Sequence, residues 1–359
     1  MLKIAVTGYY GTGSSAVIDF LSEFQNVRCA IGNRYEHYPF LGQNAIFDLE
    51  NRLFDENSNY MIRDYAINEF IKEMKRQNEH NFGWFGSYKK LFGKKFMTSV
   101  NKFVNAISTY KNCKSFTQVK KIKHTPLKAV LQIGARIILK RKIYDLGRVY
   151  VYEKNPIRFL TVDHEEFMRH AKIFINEYFE MCQVDKNIMI YDHLLLPEQA
   201  RIVSKFFGDD FKLIVVDRDP RDVYLLSEYY WSTLKFGAQP GIYPEGIDGF
   251  CSHWKNTHQY LQKIDRDNLK NVLFVQFEDL VYNYEETIQK LMKFCNLEEE
   301  NHINKRKMFD PSKSINNTQI FNLDSKYDRE SKIIKEKLRY LIYDFPFKKS
   351  QNSGEVFDN

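Results

Sequence analysis

The spacing of apolar and polar residues changes character three times along the chain. Residues 2–6 form a short aliphatic run of the kind that makes a buried strand. Over 14–24, Ala16, Val17, Phe20, Leu21 and Phe24 recur at helical spacing and predict a helix with one apolar face. Residues 27–31 read as a second strand. From 36 to 185 strand-like runs thin out and amphipathic helical patterns take over; Phe167, Ala171, Phe174, Ile175, Tyr178 and Phe179 make one continuous stripe. Beyond 186 the alternation returns. Strands are predicted at 187–191, 212–216 and 272–277, and helices at 197–207, after Pro220, and at 285–295. Strands alternating with helices predict an α/β fold, an open parallel sheet flanked by helices. Residues 1–35 and 186–345 would form this core, 36–185 a large, mainly helical insertion, and 346–359 a flexible tail. No internal repeat is visible.

Composition narrows the class. Apolar residues make up 43% of the 359 and aromatics 15%, which excludes a disordered chain. The five cysteines, Cys29, Cys113, Cys182, Cys251 and Cys295, form no CxxC pair, so neither a zinc site nor a redox motif is expected, and a reducing compartment is. The first residues lack the long apolar stretch and cleavage site of a signal peptide, and 129–139 is too short to span a bilayer. The expectation is a cytoplasmic protein, with peripheral membrane attachment left open. The net charge of +7 is uneven: 86–148 carries 16 Lys or Arg against Asp145 alone. That surplus of +15 leaves −8 for the rest and points to one surface meeting an acidic partner.

Two segments carry chemistry. Thr7-Gly8-Tyr9-Tyr10-Gly11-Thr12-Gly13-Ser14-Ser15 closes the first strand and opens the first helix. Glycines allow a tight turn, and a helix start offers unpaired N–H groups and a partial positive charge, so the segment is a candidate anion site. The Gly8–Gly13 spacing is that of a P-loop, but Ser14 stands where an ATP or GTP site needs Lys. The glycines do not fit a dinucleotide fingerprint either. A turn that binds nothing stays open on this segment alone. The second segment, 212–230, reads KLIVVDRDPRDVYLLSEYY. Arg218 follows a buried strand directly, at the sheet edge where α/β folds bind ligands, and a guanidinium there can hold a phosphate through two parallel hydrogen bonds. Asp219, Arg221 and Asp222 read as a salt-bridged helix entry.

Strand–GxxxTGSS–helix with strand–RDPRDVxxxS–helix resembles the PAPS-dependent sulfotransferase family, whose donor is 3′-phosphoadenosine 5′-phosphosulfate. Residues 276–281, followed by the 285–295 helix, are similar to its strand–EDL–helix, and 309–321 stands where it has a late loop over the donor. The resemblance covers roughly 1–30 and 186–325. It implies a P-loop-like fold and a donor site in which Tyr10, Gly11, Thr12, Gly13, Ser14 and Ser15 hold the 5′-phosphosulfate. Arg218 and Ser227 would hold the 3′-phosphate, with Lys313, Asn317 and Thr318 on the late loop; no metal is implied. Two positions depart from the pattern. Gly11 stands where the family commonly has a Lys, and Ser227 lies one residue late, about 100° around a helix, with Tyr229 and Ser232 as substitutes.

Sulfuryl transfer to a hydroxyl also needs a base, and His has a suitable pKa. His193 follows the 187–191 strand, and the resemblance to a family His-Leu-Pro segment implies it as the base, with Asp192 next. His193 as a residue packed at a helix entry stays open. The basic block includes Lys89, Lys90, Lys94, Lys95, Lys120, Lys121, Lys123, Lys140, Arg141 and Lys142, interleaved with Trp84, Phe85, Phe92, Phe96 and Phe103. It reads as a solvated face, an anionic-membrane contact or a seat for an acidic polysaccharide. No nucleic-acid module is present. The leading expectation is a sulfotransferase acting on a carbohydrate or lipid-linked glycan. A P-loop phosphotransferase and a non-catalytic, anionic-surface-binding relative are the alternatives.

Overall fold

The computed structural model describes residues 1–32, 35–111, 157–183, 187–230, 245–262 and 269–349, with isolated positions 130, 133, 134, 137 and 356. In chain order its main elements are β1 (Leu2–Gly8), α1 (Ser14–Ser22), β2 (Val27–Cys29), α2 (Ile46–Phe54), α3 (Tyr60–Glu79), α4 (Tyr88–Phe92), α5 (Lys95–Ile107), β3 (Ser108–Lys111), β4 (Ile157–Leu160), α6 (His164–Cys182) and β5 (Ile188–Asp192). There follow α7 (Val203–Phe206), β6 (Phe211–Asp217), α8 (Pro220–Leu225), α9 (Gly246–Gln262), β7 (Val272–Gln276), α10 (Phe277–Tyr282), α11 (Tyr284–Cys295), α12 (Pro311–Ser314) and α13 (Asp328–Lys337).

Five strands form one parallel sheet in the order β2-β5-β1-β6-β7. Side chains alternate between its faces, as the pleat requires. On one face Ile4, Val6, Ile188, Ile190, Ile214 and Val216 pack with Val17, Phe20 and Leu21 of α1 and with Leu280, Ile288 and Leu291 of α10 and α11. On the other, Tyr191 meets Phe179 at 4.9 Å between ring centroids. The expected open parallel sheet with flanking helices is the fold observed.

The chain divides into two compact units. The first holds Met1–Gly42, Arg76–Phe96 and Ile175–Asn359, including the whole five-stranded sheet; the second holds Gln43–Lys75 and Met97–Phe174. Within the second unit, Phe103 stacks on Phe174 at 5.4 Å between ring centroids and meets Phe70 and Phe167 edge to face at 5.6 and 5.8 Å. This unit is not purely helical: β3 and β4 pair antiparallel, Ser108 opposite Leu160.

One further expectation is corrected. The 197–207 helix is a 3-10 segment, Pro197–Ile202, that becomes α-helical only over α7, with the Gln199 side chain accepting from Leu196 N. Within the 346–359 tail, Pro346, Phe347 and Lys348 are exposed and Lys349 is buried, 7% exposed. Lys120, Lys121, Lys123, Lys140, Arg141, Lys142 and Ser232 lie outside the described residues.

Candidate active site

The strand order sets the site. β1 lies between β5 and β6, with Val6 opposite Asp192 and Gly8 opposite Val216. The glycine turn after β1 therefore emerges between the carboxyl ends that carry Asp192-His193 and Arg218. This is the edge at which ligands of parallel α/β sheets collect.

The turn is held from within. Gly11 and Gly13 have φ of 82° and 88°, a region that side chains disfavour. A Cβ on Gly8 would fall 2.8 Å from Val216 O, and one on Gly13 2.6 Å from the Phe277 ring. Thr12 is buried, its hydroxyl 2.7 Å from Tyr9 O and 2.8 Å from Val216 O, so its side chain braces the turn against β6 and does not face the site. Gly13 caps α1 without any side-chain hydrogen bond; Ala16 N donates to Gly13 O at 3.0 Å, which leaves the N–H groups of Ser14 and the exposed Ser15 to an anion. Tyr10 is 58% exposed, and burial of part of its ring, with the nearby Glu36 charge, raises its pKa.

Arg218 is 4% exposed and joins the glycine turn to the late loop. Its Nη1 donates to Gly11 O at 3.4 Å, its Nη2 donates to Asn317 O, and its guanidinium lies 4.5 Å from the Phe277 ring centroid. A cation thus reaches position 11, where the family commonly has its Lys, from the neighbouring strand end. Nε of Arg218 is buried with no hydrogen-bond partner among the described residues. Burial lowers the Arg218 pKa, opposed by Asp222, Glu278 and Asp219; a guanidinium remains charged under any such shift.

These carboxyl groups build the frame. Asp219 caps α8 by accepting from Arg221 N at 2.9 Å and grips the Arg221 guanidinium at 2.9 and 2.7 Å, the expected helix entry. Asp222 does more than expected: it accepts from Gln319 N and Ile320 N, both at 2.7 Å, and so anchors the late loop. Burial pushes its carboxyl upward, while Arg218 and the loop amides pull it back. Glu278, fully buried, accepts from Asp219 N at 2.9 Å. On the same strand end, Asp217 meets Nε2 of buried His258 at 3.2 Å, and His258 stacks on Tyr9 at 3.8 Å. Asp217 and His258 were not singled out in the sequence, because their partners lie on other elements; Glu278 is the Glu of the EDL segment, and the structure adds its bond to Asp219.

The late-loop residues divide. Asn317 reaches Arg218 through its carbonyl. The Thr318 hydroxyl turns inward to Tyr282 Oη at 2.6 Å and Ile315 O at 2.8 Å. Lys313 is exposed on α12. Ser227 is buried and donates to Tyr224 O at 2.9 Å. It lies in a π-turn, Leu226–Tyr230.

On the other flank, His193 Nδ1 is 2.6 Å from Asp192 Oδ1 and 4.0 Å from Glu36 Oε1. Burial alone would lower the His193 pKa; the hydrogen bond and charge of Asp192, with Glu36, outweigh it and raise the value above 6.5. Ligand atoms of Glu36, Asp192 and His193 all lie within 4.8 Å of one another, so this trio has the spacing of a cation site as well as of a charge-supported base. Glu36 was missed because it lies far away in sequence, on a segment that bridges to β5. Its N–H donates to Trp84 O at 2.9 Å. The 81–86 loop is tightly built: Asn81 bridges Gly86, Phe82 stacks on Phe85 at 4.5 Å, and Tyr35 Oη donates to Gly86 O at 2.6 Å. At its tip Trp84 is 56% exposed.

With this geometry established, comparison with known proteins identifies the class. The sulfotransferase-domain family model matches residues 150–340, more than half of the chain and inclusive of Arg218 and the late loop. The chain belongs to the sulfotransferase family. Sulfotransferase 2A1 of Homo sapiens is 27% identical over 139 residues, 35% of this chain and 48% of that relative. Sulfotransferase 1 family member D1 of Mus musculus is 26% identical over 103 residues, 28% of this chain and 35% of the relative. The matches thus span about a third to a half of these relatives' lengths. A sulfotransferase domain from the Synechococcus PCC 7002 olefin synthase aligns over 96% of both chains with a TM-score of 0.38 and 11% identity. The family match begins after the glycine turn; the Arg218–Gly11 contact is what ties that turn to the matched region.

Proposed function

We propose that the protein transfers a sulfuryl group from PAPS to a hydroxyl acceptor. The observation that carries this reading is Arg218: a buried guanidinium held between the glycine turn and the late loop, with Nε facing no protein acceptor. A buried donor without a partner costs about 1–3 kcal/mol, and an anionic ligand oxygen removes that cost. The 3′-phosphate of the donor is such a ligand, and it is the group that distinguishes PAPS from ATP.

In the reaction, the acceptor oxygen forms a bond to sulfur as the bond from sulfur to the 5′-phosphate oxygen breaks. The acceptor proton passes to Nε2 of His193, whose Nδ1 is held by Asp192, and adenosine 3′,5′-bisphosphate leaves. Positioning and charge stabilisation dominate such transfers. Amides of the glycine turn and the α1 terminus face the departing phosphate; donors of this kind contribute about 3–4 kcal/mol each in comparable sites.

For the acceptor, we propose a carbohydrate or lipid-linked glycan carrying acidic groups. The exposed Trp84 offers a flat apolar face of the kind a sugar ring stacks on, and its loop is bonded to Glu36 beside the base. Lys89, Lys90, Lys94 and Lys95 follow on the exposed side of α4 and the turn after it.

Radiolabelled PAPS tests the reading directly: label should pass to a glycan acceptor. Arg218→Ala should weaken adenosine 3′,5′-bisphosphate binding by more than about tenfold, the scale of a charge-assisted pair. Unchanged affinity in calorimetry refutes the donor assignment.

A further inference from the structure

One buried cation has no part in this mechanism. The Lys349 side chain passes beneath the late loop, and its Nζ donates to the carbonyls of Ile315, Asn316 and Thr318 at 3.1, 3.2 and 3.3 Å. The remaining carbonyl of the run, Asn317, is the one that accepts from Arg218. Four successive carbonyls are thus distributed over two cations, three on Lys349 and one on Arg218. No ion pair joins Lys349 to a carboxylate among the described residues; Asp222 acts on it only through its charge. Burying an ammonium against carbonyls alone is costly, and burial lowers its pKa.

Its tether is equally specific. Lys349 N donates to Gln319 Oε1 at 3.0 Å, and Gln319 Nε2 donates to Phe347 O at 2.9 Å and Tyr282 Oη at 3.1 Å. Gln319 N in turn donates to Asp222. The C-terminal strap and the late loop therefore form one hydrogen-bonded body ending at the Arg218 guanidinium.

We infer that Lys349 is a positioning residue for the donor's 3′-phosphate. By fixing the carbonyls on either side of Asn317, it sets the direction of the Asn317 carbonyl, and that carbonyl orients Arg218 so that Nε faces the ligand. It also neutralises a row of carbonyl oxygens that would otherwise repel the phosphate. This inference rests on the PAPS reading above and goes beyond it in assigning a role to a residue that touches neither substrate.

The test compares adenosine 3′,5′-bisphosphate with adenosine 5′-monophosphate, which lacks the 3′-phosphate, by calorimetry on the full chain. Lys349→Met should weaken bisphosphate binding about tenfold, the scale of a misdirected charge-assisted hydrogen bond, and leave monophosphate binding unchanged. Lys349→Arg, which retains a cation, should recover most of the loss. If Lys349→Met does not fold, Gln319→Met, which cuts the amide bonds to the strap, carries the same expectation. Equal weakening of both nucleotides means a merely structural role and overturns the inference, as does bisphosphate affinity at the level of the unmodified protein. Failure of the unmodified protein to prefer the bisphosphate removes the donor reading itself, and this inference with it. The two failures are read from different proteins.

Discussion

His193 shows most directly how single side chains here are set by their surroundings. Its backbone sits at φ 48°, a left-handed conformation that costs a residue with a Cβ about 1–2 kcal/mol. It is held there because its N–H extends the sheet by donating to Val6 O at 2.9 Å, while the neighbouring Asp192 O accepts from His37 N at 2.8 Å. The turn brings the imidazole back onto the Asp192 carboxylate. A base must be neutral to accept a proton, and the raised pKa means that this one loses its proton at higher pH than an ordinary histidine. Turnover should therefore rise with pH through a midpoint above 6.5. Asp192→Asn should move that midpoint down and slow turnover. His193→Ala should lower turnover by about a hundredfold or more with bisphosphate affinity intact; full activity in a pH–rate series on that variant moves the base elsewhere. The same linkage has a sign for stability: a raised histidine pKa stabilises the fold below the unfolded-state value, and that contribution is lost as pH rises through the folded-state value.

At the scale of elements, the glycine turn and the 81–86 loop were legible to different degrees. The turn could be read because positive φ at Gly11 and Gly13 is a local requirement; the close approach of Val216 and Phe277 to Gly8 and Gly13 came only with the fold. The 81–86 loop could not, although its residues are distinctive. Trp84 gains meaning only when its carbonyl meets Glu36 N, and Glu36 only when its carboxylate comes within 4.0 Å of His193. Trp84→Ala should raise the KM for a glycan acceptor about tenfold, the scale of one lost stacking contact of about 1 kcal/mol or more, and leave the donor KM unchanged. Initial-rate kinetics with each substrate varied would check it; a changed donor KM with an unchanged acceptor KM would assign the loop to the donor.

At the scale of the molecule, ligand binding should be visible in stability, because the bisphosphate would contact groups from several parts of the first unit. At about one hundred times its Kd, a ligand that binds only the folded state adds about 2.7 kcal/mol. For a chain of this length that corresponds to a rise in melting temperature of about 3–4 °C. Adenosine 3′,5′-bisphosphate should produce it, and ATP with Mg²⁺ at the same concentration should not. The reverse order in a thermal-shift series would favour the phosphotransferase alternative that Ser14 argues against. No described helix is long and apolar enough to cross a membrane.

What the amino-acid sequence determined by itself is local: the period of its apolar residues, the glycines at positive φ, the helix entry at Asp219-Pro220, and an arginine at a strand end. Each depends on neighbours within a few residues, so each is written in the order of the chain. The tertiary structure alone decided which strand ends adjoin, which carbonyl Arg218 meets, that Thr12 and Thr318 turn inward, and that Lys349 reaches the carbonyl of Thr318, 31 residues earlier in the chain. Those outcomes depend on contacts between residues far apart in the chain, 207 positions for Arg218 and Gly11, and on burial that leaves a polar group satisfied only by whatever the fold brings to it.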